Sequence, residues 1–302
     1  MMTSMMAGVT GLRNHQTRMD VIGNNIANVN TVAFKASRVV FQDMFSQTIR
    51  AASGPTDVNG GNNANQVGVG MQLANVDVLH TRTSSTYTGA PLDSSIAGDG
   101  YYVVGDGTKA PVLDPPVTGE IAVNDVSTFN YTRAGNFYII DNMLLDSNGL
   151  FVQKIAVNDA GVPIGQDGQP LGANEPYVYQ NIEIDKKYTG VQINANGEIV
   201  GLDGENRVVI ATIALANFEN NNGLEKVGNN LYRQSSSSGT AEIGKAGENG
   251  TGILQPGMLE MSNVDLANEF TNMIITQRGF QANSRIITTS DTMLEELVNL
   301  KR

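Results

Sequence analysis

His15 and His80 are the only side chains in this sequence whose ordinary titration falls near neutral pH. Neither is accompanied by a cysteine or by metal-ligand spacing, so both read as solvated or structural groups rather than as bases or ligands. The run Ser235 to Ser238 lacks the glycine-flanked turn that would lift a serine nucleophile out of a sheet. Gly105-Asp106-Gly107-Thr108-Lys109-Ala110 carries part of a dinucleotide fingerprint, but Pro111 and Pro115-Pro116 stand where the phosphate-binding helix must begin. The Asp146-Ser147-Asn148-Gly149 and Asp203-Gly204-Glu205-Asn206 stretches have oxygen ligands for weak calcium binding. Without a full calcium loop and its terminal bidentate glutamate, they read as hairpin turns. A carboxylate pair for glycoside cleavage has no sequence signature of its own. The expectation is a protein with no catalytic residue, no cofactor and no metal site, and so not an enzyme.

Composition narrows the class further. The 302 residues suffice for one large or two modest domains, and 19 basic against 30 acidic side chains give a net charge of −11. That charge repels phosphate backbones and anionic lipid, so neither nucleic acid nor a membrane surface is an expected partner. The absence of cysteine excludes disulfides and thiolate chemistry and is compatible with life outside the reducing cytosol. No apolar run is long enough to span a bilayer, and Met1 to Leu12 lacks the pattern of a cleaved secretory signal, so any export is expected to use another route. With 33 glycines, no tryptophan and 6% aromatics, the composition suits short strands joined by turns.

With no reactive constellation in view, the strongest patterns are structural. From Ser262 to Leu300 apolar residues recur at three and four, through Leu266, Phe270, Met273, Phe280, Ile287, Leu294 and Val298, which predicts one long helix. A second stripe through Ile274, Ile286, Met293, Leu297 and Leu300 widens the face beyond what a single partner helix covers. Ser262, with Asp265 three residues on, is the expected helix cap. Gln277, Ser284 and Asp291 interrupt the seam with polar groups that set register and partner choice. Ser4 to Asn28 repeats the spacing more weakly at Met5, Val9, Leu12, Gln16, Met19, Gly23 and Ile26, with Ile22 broadening the stripe. Two seams at opposite ends of one chain are most simply satisfied by pairing, within a molecule or between neighbours. Residues 1–50 carry +3 and residues 258–302 carry −2, so the ends also attract.

Between the ends the chain reads as β. Four asparagines, Asn24, Asn25, Asn28 and Asn30, mark a hydrogen-bonded turn leading to Phe34. Ser53 to Gly70 reads as loop or linker, and Met71 to Tyr87 as short strands. Further strands are expected at Tyr101 to Val104, Phe137 to Ile140, Leu150 to Val157, Val191 to Ile193, Val208 to Leu215 and Asn230 to Arg233. Ala110 to Val126 and Asn158 to Pro176 read as surface insertions, and Ser235 to Gly257 as loop. The expected fold is α+β: long N- and C-terminal helices pairing as a coiled-coil-like core around a mainly antiparallel β middle. Its parts are an assembly helix and turn over 1–36, a linker with first strands over 37–83, a β-rich outer region over 84–257, and an assembly helix over 258–302.

Met19 to Lys35, reading MDVIGNNIANVNTVAFK, resembles the asparagine-rich signature of the bacterial flagellar rod and hook axial family, in which a glycine usually stands where this chain has Ala33. Thr88 to Asp93, Gly98 to Tyr101, Tyr131 to Phe137, Gly223 to Tyr232 and Pro256 to Arg302 are similar to that family as well. The final stretch is closer to hook subunits than to the distal rod subunit, the near alternative. The resemblance implies an axial tube with terminal helices inside and β domains outside, torque transmission from rod to filament, and type III export without a cleaved signal. The implied partners are other copies of the chain, rod and hook–filament junction proteins, the hook cap and the export apparatus. Family crosslinking through a cysteine-derived residue is impossible here. A glycan-binding β module would cluster its aromatics on one strand face, and a β-fold hydrolase would need convergent acid and base groups; neither pattern is visible.

Overall fold

In the computed structural model, the described residues are 2–55, 60–105, 129–155, 179–204 and 206–300. They form an α+β structure in two compact units. One holds residues 1–29, 35–79 and 264–302; the other holds 30–34 and 80–263. The expected insertions at 110–126 and 158–176 lie outside the described residues.

The first unit contains helix α1 (Met2–Ala27), strands β1 (Ser37–Asp43), β2 (Ser46–Arg50), β3 (Asn65–Gly68) and β4 (Met71–Val78), and helix α2 (Leu266–Asn299). β1 pairs antiparallel with β4, from Ser37 opposite Val78 to Asp43 opposite Met71, with a bulge between Val40 and Phe41. β2 continues the ribbon against β3, and an isolated bridge carries the pairing on to Ser53 and Asn62. The stretch read as linker is thus partly strand. Its glycines and asparagines hid the signal because both strands are exposed along their whole length and need no apolar alternation. α1 crosses the base of this ribbon. Asn14 donates to the Met71 carbonyl at 2.7 Å, and a side chain on Gly70 would collide with Thr10.

The cap of α2 lies three residues later than expected. Asp265, extended at φ −96 and ψ 108, accepts from the N–H groups of Ala267 (2.9 Å) and Asn268 (3.4 Å), so it is the cap itself and Ser262 lies outside the helix. A carboxylate there also meets the positive helix end. Among the described residues no helix is long and apolar enough to cross a membrane.

In the second unit a ten-stranded antiparallel sheet runs in the order 225–228, 231–233, 130–132, 101–105, 151–155, 143–146 and 137–140, with strands 179–181, 215–217 and 242–244 joining off this path. The central strand Tyr101–Gly105 is buried on both faces. Tyr102 and Val104 enter one apolar cluster, while Tyr101 and Val103 enter the other, which is why this strand reads as an unbroken apolar run. A three-stranded sheet (189–193, 198–203, 206–212) adds Ile193 and Ile199 to the first cluster. Two strands, at 242–244 and 253–256, occur within Ser235 to Gly257, which the sequence marked as loop.

The segment entering this unit is zipped to the segment leaving it. Ser94–Ala97 pairs with Ile253–Pro256, and Ser85–Tyr87 pairs with Met258–Glu260. Gly98 and Gly252 lie so close that a side chain on either would strike the other's backbone. Gly135 is fixed for the same reason by the Ser94 carbonyl.

Candidate assembly surface

α1 and α2 pack antiparallel: Gly8 lies against Ile287, Gly11 against Asn283 and His15 against Gly279, while Arg18 donates to Asn272 Oδ1 at 3.3 Å. The α1 residues in contact include Gly8, Gly11, His15 and Asn25, with Ile22 buried on the same stripe, offset by one residue from the stripe through Val9, Leu12, Met19 and Ile26 that the sequence suggested. On α2 the innermost side chains are Thr276 and Ser290. Their hydroxyls donate to the carbonyls of Asn272 (2.7 Å) and Ile286 (2.8 Å), so they can be buried without losing a hydrogen bond. Small residues let the two backbones approach. A glycine costs a helix about 1 kcal/mol relative to alanine, and the close contact at Gly8 and Gly11 gives that cost a use.

The large apolar residues are left outside this contact. Leu266, Phe270, Ile274, Ile275, Phe280, Ile286, Met293, Leu297 and Val298 are exposed along α2, with Ile274 at 58% and Val298 at 68%. Leu300, just past the helix, is also exposed, and Val9 is exposed on α1. Met273, Ile287 and Leu294 are half-buried, as are Met5, Leu12, Met19 and Ile26, while Ile22 is buried. Of the polar positions expected in the seam, Gln277 and Asp291 are exposed and Ser284 is half-buried. In the ribbon, Phe45 and Ile49 add two more exposed apolar side chains.

Of the four asparagines expected in a turn, Asn24 and Asn25 lie in the last turns of α1, and Asn28 and Asn30 lie in the turn that follows. Asn25 is buried, and its amide brackets Ser37, donating to the carbonyl at 2.8 Å and accepting from the N–H at 3.0 Å. It also donates to Glu269 of α2 at 3.2 Å. Asn28 donates back to the Asn24 carbonyl at 2.9 Å, closing the end of α1; Asn30 and Asn24 are exposed. The second half of the turn belongs to the β unit. There Ala33 N–H donates to the Glu260 carbonyl at 2.8 Å, Asn230 donates to the Val32 carbonyl at 2.9 Å, and the Asn263 N–H reaches the Phe34 carbonyl at 3.4 Å. Phe34 is buried under the Lys226 ammonium, 4.6 Å from its ring. Ala33 holds φ +56, so the left-handed conformation that glycine adopts freely is kept here with a methyl group attached.

The β unit also holds a buried ion pair that sequence reading missed. Arg133 Nε donates to Glu260 Oε2 at 2.8 Å, with both side chains at most 3% exposed. The same guanidinium donates to the carbonyls of Gly98 (2.7 Å) and Ile96 (3.4 Å) and lies 5.7 Å from the Tyr101 ring centre. The two residues are 127 apart in sequence, which leaves no local signature.

The groups first considered for chemistry are structural. His80 Nδ1 bonds the Tyr101 hydroxyl at 2.8 Å and its ring meets Tyr232 edge-on. His15 is wedged against Gly279 and the Phe41 ring; burial and the neighbouring Arg18 both lower its pKa. Burial also raises the Glu269 carboxyl, opposed by the Asn25 hydrogen bond and Arg18. The aromatics, dispersed in sequence, converge in the core: Tyr101, Tyr131, Phe218 and Tyr232 stack edge to face, and burial drives the three tyrosine hydroxyls well above their ordinary range. Ser235 and Ser238 bond one another across a turn. The Asp146 carboxylate accepts from Ser147 and Asn148 within its own turn, and no metal-binding group of three ligands exists among the described residues.

A β unit joined through a hydrogen-bonded turn to a small-residue helix pair that shows its apolar side to solvent is built as a structural subunit. Family models agree in three places: a flagella basal body rod protein model at residues 5–35, a flagellar hook protein FlgE/F/G D1 domain model at 120–201, and a flagellar basal body rod FlgEFG protein C-terminal model at 255–300. The flagellar basal-body rod protein FlgG of Bacillus subtilis is 42% identical over 308 residues, covering all of both chains. In Borreliella burgdorferi the flagellar hook protein FlgE is 33% identical over 441 residues, and the basal-body rod protein FlgG is 32% identical over 305, again with full coverage of both chains. The chain therefore belongs to the flagellar rod and hook family. It is a structural protein of the bacterial flagellum and not an enzyme.

Proposed function

We propose that the chain is a subunit of the flagellar hook, assembling with copies of itself into a tube that carries torque from rod to filament. The observation that carries self-assembly is the row of nine large apolar side chains exposed along α2. About half of each is already covered, so burying the rest returns roughly 7–13 kcal/mol gross at 1.5–3 kcal/mol per full side chain. Association costs about 4–15 kcal/mol. A single contact is thus weak, and the surface suits a lattice in which each copy meets several others through a non-closing, head-to-tail contact. Rod and hook–filament junction proteins, a growth-directing cap and the type III export apparatus are the further partners of this reading.

Support for the hook over the rod comes from one organism. The Borreliella hook protein shares about 146 identical positions with this chain (33% of 441), against about 98 for that organism's rod protein (32% of 305). The hook alignment is longer because it holds segments this chain lacks. The distal rod is the second reading, favoured by the Bacillus relative, which is 42% identical and aligns with almost no length difference. Deleting the gene and imaging purified basal bodies separates the two: complete rods without hooks are expected, and rods cut short would assign the chain to the rod. Purified protein that forms no tubes at any concentration would overturn both.

A further inference from the structure

Five asparagines in this chain precede a glycine: Asn59, Asn148, Asn196, Asn222 and Asn249. At such pairs the next backbone nitrogen is shielded by no side chain and can attack the asparagine's own carboxamide. Asn59 lies outside the described residues. In three of the other four, the glycine closes a tight turn and its N–H is occupied. Gly149 donates to the Asp146 carbonyl at 2.8 Å, Gly197 to Asn194 at 3.0 Å and Gly223 to Asn220 at 3.1 Å. The Asn148 amide is also held, donating to Asp146 Oδ2 at 2.8 Å and to the Asn229 carbonyl at 3.1 Å.

The fourth turn is built differently. Thr251 N–H closes it on the Glu248 carbonyl at 2.8 Å, and its two central residues, Asn249 and Gly250, both have positive φ (49 and 75), as in a type I′ turn. The glycine is here the third residue of the turn rather than the fourth. Its N–H closes no turn and has no backbone acceptor among the described residues, and both central residues are exposed. The Asn249 carbonyl accepts from Asn217 at 3.2 Å, which ties down the backbone and leaves the side chain out of that bond.

We propose that, among these four pairs, Asn249 is the site of spontaneous deamidation. The Gly250 nitrogen loses its proton to solvent base and its electron pair attacks Asn249 Cγ; the Cγ–Nδ2 bond breaks and ammonia leaves, closing a succinimide. Water then opens the ring at either carbonyl, giving aspartate or isoaspartate, with no oxidant or reductant involved. Asn249 must first leave the left-handed region to bring Cγ to the nitrogen, so the rate follows the opening of this one turn. The isoaspartate product lengthens the backbone by one methylene inside a turn that has only two central residues. The Thr251–Glu248 and Asn217–Asn249 bonds are then lost, and a new negative charge lies beside Glu248.

The test is to age the full-length protein at mildly alkaline pH and follow its tryptic peptides 134–154, 188–207, 208–226 and 246–278 by mass spectrometry, scoring the amide-to-acid mass change and the isoaspartate isomer. The same series is run on chain unfolded in guanidinium. In the folded protein Asn249 is expected to convert several-fold faster than Asn148, Asn196 or Asn222, and unfolding should bring the four rates together. Equal or faster conversion at any of those three in the folded protein overturns the proposal. So does a rate order that persists unchanged after unfolding, since neighbouring sequence would then explain it.

Discussion

Replacing Glu260 with glutamine tests how the β unit is held together. The Arg133 guanidinium is about 2% exposed and has one carboxylate against it, at 2.8 Å; its other contacts are the Ile96 and Gly98 carbonyls and the Tyr101 ring. Two unit charges about 4 Å apart are worth about 4 kcal/mol at an effective dielectric near 20. Breaking a buried pair from one side costs about 3–5 kcal/mol, because the remaining charge is stranded. For a unit of this size each kcal/mol shifts the melting temperature by about 2–4 °C, so Glu260→Gln should lower it by roughly 6–20 °C. Calorimetry on the full chain reads this, with the aromatic near-ultraviolet dichroism reporting the Tyr101, Tyr131 and Tyr232 cluster. The double variant Arg133→Met/Glu260→Met should recover more than half of the loss, because neither charge of this pair is then stranded without the other. A loss below about 1 kcal/mol for Glu260→Gln, or a double variant no better than the sum of the singles, would refute the assignment of this pair as a coupled support.

Three further outcomes are expected. Ala33→Gly relieves a left-handed alanine worth about 1–2 kcal/mol but loses about 0.8 kcal/mol of buried methyl and about 0.5–1 kcal/mol to backbone entropy. Urea titration should therefore place it within about 1 kcal/mol of the parent, with Ala33→Val lower by more than about 2 kcal/mol. His15 has a folded pKa below 6.5, so the folded state binds fewer protons than the unfolded. Its contribution is complete above that value and is lost as pH falls through the folded pKa; helical dichroism melts across this range should show the loss, and His15→Gln should flatten it. Ile274→Ser with Val298→Ser should leave the monomer's melt within about 1 kcal/mol of the parent while abolishing tube formation by electron microscopy.

Much of this protein is written locally. The three-four spacing of α2, the asparagines that end α1 and enter the turn after it, and the all-apolar Tyr101 to Val104 strand can each be read from neighbouring residues, because helix period, turn chemistry and strand burial are short-range physics. The motif residues also fix family membership. Which face of each helix meets the other was not legible, since apolar periodicity marks a face to be buried without naming its cover. Here the pair closes through Gly8, Gly11, Gly279, Thr276 and Ser290, which carry no hydropathy signal. The exposed β2–β3 ribbon escaped for a related reason: strands bathed in solvent on both sides need no alternation. The Arg133–Glu260 pair, the aromatic cluster and the left-handed Ala33 exist only once distant segments meet. Low dielectric and close packing act on residues brought together in space, and the linear order of the chain contains no record of that proximity.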